Sequence, residues 1–233
     1  MKIYAAKVCE IPEHLFGRLF DVMDKKRIEK VRALRNEKER LRSIHAGLLL
    51  HHAFLQEGYD EEQWRQIEIS KGSYGKPYMS NCRDFFYSIS HSGEWVVCAV
   101  DDMETGVDIQ EAGEFKMAVA KKFYASEEYD RLLHYAFDEN RRTAEFYRMW
   151  TAKESCVKLT GRGIGAGIGK YVTDSAYTHV MNKEENSQFY IKLYECIQDY
   201  IICACSERES FPENIILTDL VSQTLNREGK KTC

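Results

Sequence analysis

Three prolines among 233 residues leave long stretches that nothing forces to break, so extended helices and strands are open to this chain. Long apolar runs are equally scarce. No stretch reaches the roughly 20 apolar residues that a membrane-spanning helix needs. The opening "MKIYAAKVCEIPEHLF" carries charge early and has no long apolar core, unlike a secretory leader. These absences predict a soluble, cytoplasmic protein with no membrane partner. There is no CxxC pair among the eight cysteines (Cys9, Cys82, Cys98, Cys156, Cys196, Cys203, Cys205, Cys233), and several sit inside apolar runs such as "VVCAV" and "IICAC". Buried, reduced thiols follow. "CAC" has donor atoms for a metal, but no histidine or second cysteine pair completes a set, which leaves core packing as its reading. A surplus of positive charge is missing too: a formal net charge of −4 excludes a general nucleic-acid binder.

What is present is enough apolar material, 44% of the chain, to bury a core for one large domain or two small ones. Charge is concentrated locally. "KKRIEKVRALRNEKERLR", residues 25–42, holds nine basic and three acidic side chains and reads as a basic helical region, although a solvated helix face has the same composition. "RLRSIHAGLLLHHAFLQEG" predicts a helix closed by Gly58, followed by short strands at "IEIS", "DFFYSIS" and "EWVVCAV", with "HSG" as the turn between the last two. "GVDIQ" is a further strand. Helical stretches are expected over 115–123, 126–135 and 142–159, the last ended by the glycine-rich "TGRGIGAGIGK". Strands return at "SQFYIKLYE" and "DYIICACSE", and the polar tail "NREGKKTC" is expected to fray.

An internal echo organises these segments. "EWVVCAV" at 94–100 and "DYIICAC" at 199–205 share an acid, an aromatic, two β-branched residues and Cys-Ala, and each strand has an aromatic strand and a long helix before it. The pattern suggests two copies of one helix-plus-sheet unit, with a cleft between like halves as a place for a ligand, although two hydrophobic strands also resemble each other by chance.

Four stretches carry candidate chemistry. In "GVDIQ", alternation sends Val107 and Ile109 to one face and Asp108 and Gln110 to the other, about 7 Å apart. In "MWTAKESCVKL", Trp150, Glu154 and Lys158 fall one above another at helical spacing, so Glu154 can close on the polar face of the strand. Carboxylate and amide oxygens of this kind suit Mg²⁺, while a surface Glu–Lys pair and a strand with one wet face remain the plain alternatives. The turn "SHS" offers Ser90, His91 and Ser92 to an anion, and "YGKPY" holds Lys76 between Gly75 and Pro77.

In order and spacing, "YGKPY … FYSISHSGEWVVCAV … GVDIQ … FYRMWTAKESCVKLTGRGI" resembles the phosphopantetheinyl transferase superfamily, specifically its surfactin-type members. The resemblance runs from "MKIYA" through the basic region to about Glu209. It implies an α+β fold built as a pseudo-dimer of two similar helix-plus-antiparallel-sheet halves. Expected boundaries are 1–103, 104–209 with the metal site, and a C-terminal extension over 210–233. The implied activity is Mg²⁺-dependent transfer of 4′-phosphopantetheine from coenzyme A to a serine of an apo acyl or peptidyl carrier protein, releasing 3′,5′-ADP.

Residue by residue, the resemblance makes Asp108, Gln110 and Glu154 the metal ligands. Lys158 and His91 hold phosphate oxygens, Lys76 and Ser90 line the nucleotide pocket, and Arg27, Lys30 and Ser43 surround the 3′-phosphate. Glu154 is the expected base and Lys158 the expected stabiliser of the leaving group; a monomer is expected. Gln110 departs from the glutamate of many relatives, so a coenzyme A-binding module without turnover stands as the rival.

Overall fold

The computed structural model describes residues 1–163 and 167–222. Its first half runs β1 (Lys2–Lys7), α1 (Phe16–Phe20), α2 (Lys25–Ala33), α3 (Glu37–Gln56), α4 (Glu61–Arg65), β2 (Ile69–Lys71), β3 (Pro77–Met79), β4 (Phe86–Ser92) and β5 (Trp95–Asp101). The second runs β6 (Thr105–Glu111), α5 (Met117–Phe123), α6 (Ser126–His134), α7 (Glu139–Thr160), β7 (Tyr171–Thr173), β8 (His179–Asn182), β9 (Ser187–Tyr194) and β10 (Tyr200–Ser206), and β11 (Ile216–Leu217) follows.

Local chemistry sets the two long helices. The Asn36 side chain accepts from the Glu39 N–H to start α3, and Gly58, at φ +93°, turns the chain away after it. Asp138 accepts from the Arg141 N–H, and so α7 begins three residues before the sequence expectation of 142. Gly161 ends it in the left-handed region.

Two antiparallel cores face each other. The first sheet has the order β11-β1-β5-β4 and the second β6-β10-β9-β8-β7. The echoed strands β5 and β10 are internal in their sheets: Cys98 pairs with Tyr4 and Ile89, and Cys203 pairs with Asp108 and Leu193. Each half thus repeats one unit, β1–α3–β4–β5 and β6–α7–β9–β10. Alternation then builds the layers. Tyr4, Ala6, Val96 and Cys98 pack under α3; Ile3, Ala5, Val97 and Ala99 meet Val107, Ile109, Ile202 and Ala204 between the sheets; Cys203 and Cys205 pack under α7. Burying the three apolar layers supplies the main stabilisation, at about 25 cal/mol per Å² of apolar surface removed from water.

Three expectations change. His91 and Ser92 belong to β4, and the turn is Gly93–Glu94, because the β4–β5 ladder continues to Ser92↔Trp95. The segment after Glu209 is no mere appendage: Phe211 and Ile215 join the middle layer, β11 runs parallel to β1, and Leu220 enters the first core. Cys98, Cys156, Cys203 and Cys205 are buried free thiols as expected, but Cys9 and Cys196 are exposed. The tail expected to fray and Cys233 lie outside the described residues. Among the described residues, no helix is long and apolar enough to cross a membrane.

Candidate active site

The site lies where α7 presses on β6. Gly106 makes that contact possible: a Cβ there would stand 1.9 Å from the Ser155 carbonyl oxygen and 2.7 Å from the Leu159 nitrogen. With no side chain between them, helix and strand backbones touch. Lys158 of α7 consequently reaches Asp108 of β6, with Nζ 2.6 Å from Oδ1.

Asp108 is 1% exposed, and both of its carboxylate oxygens accept hydrogen bonds. Its Oδ1 accepts from the Ser90 hydroxyl at 2.7 Å and from Lys158, and its Oδ2 accepts from the Gln110 amide at 2.8 Å. Lys158 also donates to Ser90 Oγ at 2.6 Å. Val107 and Ile109 face the middle layer, so the expected alternation holds. Gln110 directs its N–H₂, not its carbonyl oxygen, at Asp108.

Glu154 is 4% exposed. Burial pushes its carboxyl up to about 7, the negative Asp108 nearby adds to the rise, and Lys158 opposes it. Two carboxylates that resist being charged together form a donor set a divalent cation relieves. Among the described residues no group of three His, Cys, Asp or Glu side chains could hold a metal. The set here is two carboxylates and an amide, and this suits Mg²⁺, which commonly takes one or two carboxylates and fills its octahedron with water and phosphate oxygens.

A cationic ring adjoins the carboxylates. His91 is held below its ordinary value by burial, and then by Lys158, Lys30 and Arg42, against an opposing pull from Glu39. Lys30 is lowered by burial, with Arg27 and Lys71 pushing the same way. Burial is the larger cause for both, and the neighbouring cations add to it; a partly buried cluster of cations of this kind suits a polyanion. Buried Ser43 of α3 belongs to the same expected set, and its hydroxyl has no protein partner.

Lys76 sits differently from the rest. Its ammonium donates to Glu104 Oε2 at 2.5 Å, to the Thr105 carbonyl at 3.1 Å and to the Leu159 carbonyl at 2.9 Å, while its stem packs on Gly161. It straps the loop before β3 to the end of α7. An open groove of about 740 Å³ begins there, walled by Lys76, Tyr78, Leu159, Gly161, Glu185 and Phe189. Neither Asp108 nor Glu154 lines it, so the chemistry is located by the charged cluster and not by this groove.

Trp150 anchors α7 away from the charge, 6.3 Å from Phe146 and 5.9 Å from Phe123 between ring centroids. Lys153, its neighbour in the motif, is fully buried and bonds Glu128 at 2.5 Å. Glu128 also accepts from the Ala125 and Thr173 N–H groups, so the pair ties α6, α7 and β7 together. Sequence reasoning missed Glu128, Arg42 and Glu39. A glutamate at the third position of a predicted helix was the available signal for Glu128; Arg42 and Glu39 look like ordinary members of a charged helix.

Comparison with known proteins agrees with this geometry. Residues 104–205 match the model of the 4′-phosphopantetheinyl transferase superfamily, and residues 13–103 match that of the 4′-phosphopantetheinyl transferase N-terminal region. The chain is 33% identical over 154 residues to 4′-phosphopantetheinyl transferase Sfp of Bacillus subtilis (strain 168), covering 65% of this chain and 68% of the relative. Against 4′-phosphopantetheinyl transferase gsp of Aneurinibacillus migulanus it is 30% identical over 218 residues, or 93% of this chain and 89% of the relative. It is 28% identical over 221 residues to 4′-phosphopantetheinyl transferase ffp of Bacillus subtilis, 93% and 97% of the two chains.

Proposed function

The chain belongs to the 4′-phosphopantetheinyl transferase superfamily, and from that premise we propose that it moves 4′-phosphopantetheine from coenzyme A to a serine of an apo acyl or peptidyl carrier protein. The observation that carries this reading at the level of residues is the juxtaposition of a carboxylate pair, Asp108 and Glu154, with a ring of cations fit for a pyrophosphate and a further phosphate.

In the proposed reaction the serine Oγ attacks the β-phosphorus of coenzyme A. The bond from that phosphorus to the bridging oxygen breaks, and 3′,5′-ADP leaves. Glu154 takes the serine proton; burial and the neighbouring Asp108 raise its carboxyl above the ordinary range, which strengthens it as a base. Lys158 and His91 hold phosphate oxygens and offset the charge that grows on the leaving group. Arg27, Lys30 and the free hydroxyl of Ser43 receive the 3′-phosphate. Ser90 and the stem of Lys76 wall the nucleotide. Asp108 and Glu154, with the Gln110 side chain, would hold Mg²⁺, which when bound neutralises pyrophosphate charge.

The same reading divides the chain near residue 104 and assigns it to the cytoplasm as a monomer, since two like halves already supply every residue named. A coenzyme A-binding module without turnover is not favoured, because the relatives are named as transferases over most of the chain. The test is to incubate the protein with apo carrier, coenzyme A and Mg²⁺ and weigh the carrier intact. A gain of one phosphopantetheine is expected; binding of coenzyme A without that gain would overturn the assignment.

A further inference from the structure

The strand that carries His91 reads "SISHS", with serine at every second position, and the three hydroxyls do one job together. Among the described residues, strand β4 pairs only with β5 and β6 only with β10, so each is the edge of its sheet. The two edges lie beside each other with no backbone ladder between them. In its place, Ser88 Oγ accepts from the Val107 N–H at 3.0 Å, Ser90 Oγ donates to Asp108 at 2.7 Å, and Ser92 Oγ accepts from the Glu111 N–H at 3.0 Å. Contacts advance in step along both strands: Ser88 meets Val107 and Ser92 meets Glu111. The alignment is parallel and admits one register, because a slip of one residue, about 3.3 Å, would set each hydroxyl against the wrong group.

We infer that this serine ladder positions the two halves of the active site against each other, and that Ser88 and Ser92 are positioning residues for the transfer. The inference rests on the proposed roles of Asp108 and Glu154. Those two and Lys158 come from the second half, while Ser90, His91, Arg27, Lys30 and Arg42 come from the first. A movement of β6 along β4 would pull Asp108 from Ser90 without unfolding either sheet. Buried Ser88 secures one end, and half-buried Ser92 secures the other. Beyond Ser92, the Gly93–Glu94 turn is clamped by Arg42 Nε on the Gly93 carbonyl at 2.8 Å and by the Tyr200 hydroxyl on the Glu94 N–H at 3.0 Å.

The test compares Ser88→Ala, Ser92→Ala, the double variant and Ser92→Thr, which keeps the hydroxyl at a half-buried position. Amide hydrogen exchange at Val107 and Glu111 reads the ladder directly, and should quicken by about tenfold or more when the acceptor is removed. We expect kcat to fall roughly ten- to hundredfold in the double variant, the scale on which small misplacements act. Affinity for coenzyme A, dominated by the first half, should stay within about twofold, and Ser92→Thr should restore kcat.

Ile44→Val in the first core serves as a stability control. If it lowers kcat as much at an equal loss of Tm, the ladder is merely structural and the inference fails. It fails equally if exchange quickens while kcat is unchanged. Should the double variant not fold, Ser92→Ala alone decides by the same two readings. Full transfer by Asp108→Ala would overturn the site assignment instead; an inactive Asp108→Ala beside fully active ladder variants would remove only the present inference.

Discussion

Glu154 carries the sharpest expectation for a single side chain. A buried carboxyl beside Asp108 titrates near 7, against an ordinary value of 4.5. Its ionised form is the proton acceptor and bound Mg²⁺ favours that form, so kcat should climb with pH to a plateau, with a midpoint that moves lower as Mg²⁺ is raised. Glu154→Gln removes the acceptor at nearly constant volume and should lower kcat by about 100- to 1,000-fold. Stability moves the opposite way. Between 4.5 and 7 the folded state binds more protons at this position than the unfolded chain, so the group costs stability as pH rises. The wild-type Tm should therefore fall more between pH 5 and 8 than that of Glu154→Gln, which melting curves at the two pH values would check; an equal fall would mean Glu154 is ionised throughout. Gln110 poses a different question, because its amide donates to Asp108 and leaves the carbonyl oxygen as its only metal donor. Asp108→Ala should be inactive at any practical Mg²⁺ concentration. Gln110→Ala should recover transfer at higher Mg²⁺, since water readily fills a vacated position. A titration of carrier modification against Mg²⁺ separates the two; equal inactivity would make the amide an indispensable ligand.

Among the elements, the contact of α7 with β6 depends on one atom that is missing. Gly106→Ala would drive a methyl into the Ser155 carbonyl and the Leu159 nitrogen, both backbone atoms that cannot rotate away. The cost should exceed the roughly 1–3 kcal/mol of ordinary overpacking, and the displaced helix should take Lys158 from Asp108. Gly47→Ala is the useful contrast, because there the Cβ meets only side-chain atoms of Arg27 and Met23 at 3.2 Å. Thermal melts of both variants should show a large loss for Gly106→Ala and a small one for Gly47→Ala. The same elements show what sequence pattern conveys. β5 was legible as a short run of apolar, β-branched residues buried on both faces, β6 by the alternation of Val107 and Ile109 with Asp108 and Gln110, and the body of α7 by its length and helix-forming residues. The turn after β4 was misplaced because Ser90, His91 and Ser92 look like turn residues, whereas the serines serve a strand edge that pairs through side chains. β11 was invisible: two residues held by parallel pairing to β1 leave no periodic trace.

For the whole molecule, the duplication was readable from the echo of β5 in β10, and the pairing partners of Cys98 and Cys203 bear it out. Which side chains cross between the halves was not readable, because those contacts depend on how two sheets face each other and not on any local pattern. Electrostatics at this scale yield the last expectation. The chain carries a formal net charge of −4, yet Arg27 and Lys71 press on Lys30, and Lys30, Arg42 and Lys158 press on the His91 ring, in one local cluster of cations. A polyanion that enters it relieves that repulsion, whereas the distant acidic surface is screened beyond about 8–10 Å at ordinary ionic strength. Coenzyme A should thus bind more weakly as salt rises. Dephospho-coenzyme A, which lacks the 3′-phosphate that Arg27, Lys30 and Ser43 are proposed to receive, should bind about tenfold more weakly and with a shallower salt dependence, since it loses charge-assisted contacts. Lys30→Met should bring the two ligands closer together by weakening coenzyme A alone. Calorimetric titrations of both ligands at two salt concentrations measure all three effects. Equal affinities with parallel salt slopes would return residues 25–42 to the status of a solvated basic face and leave the 3′-phosphate without a receptor in this half of the molecule.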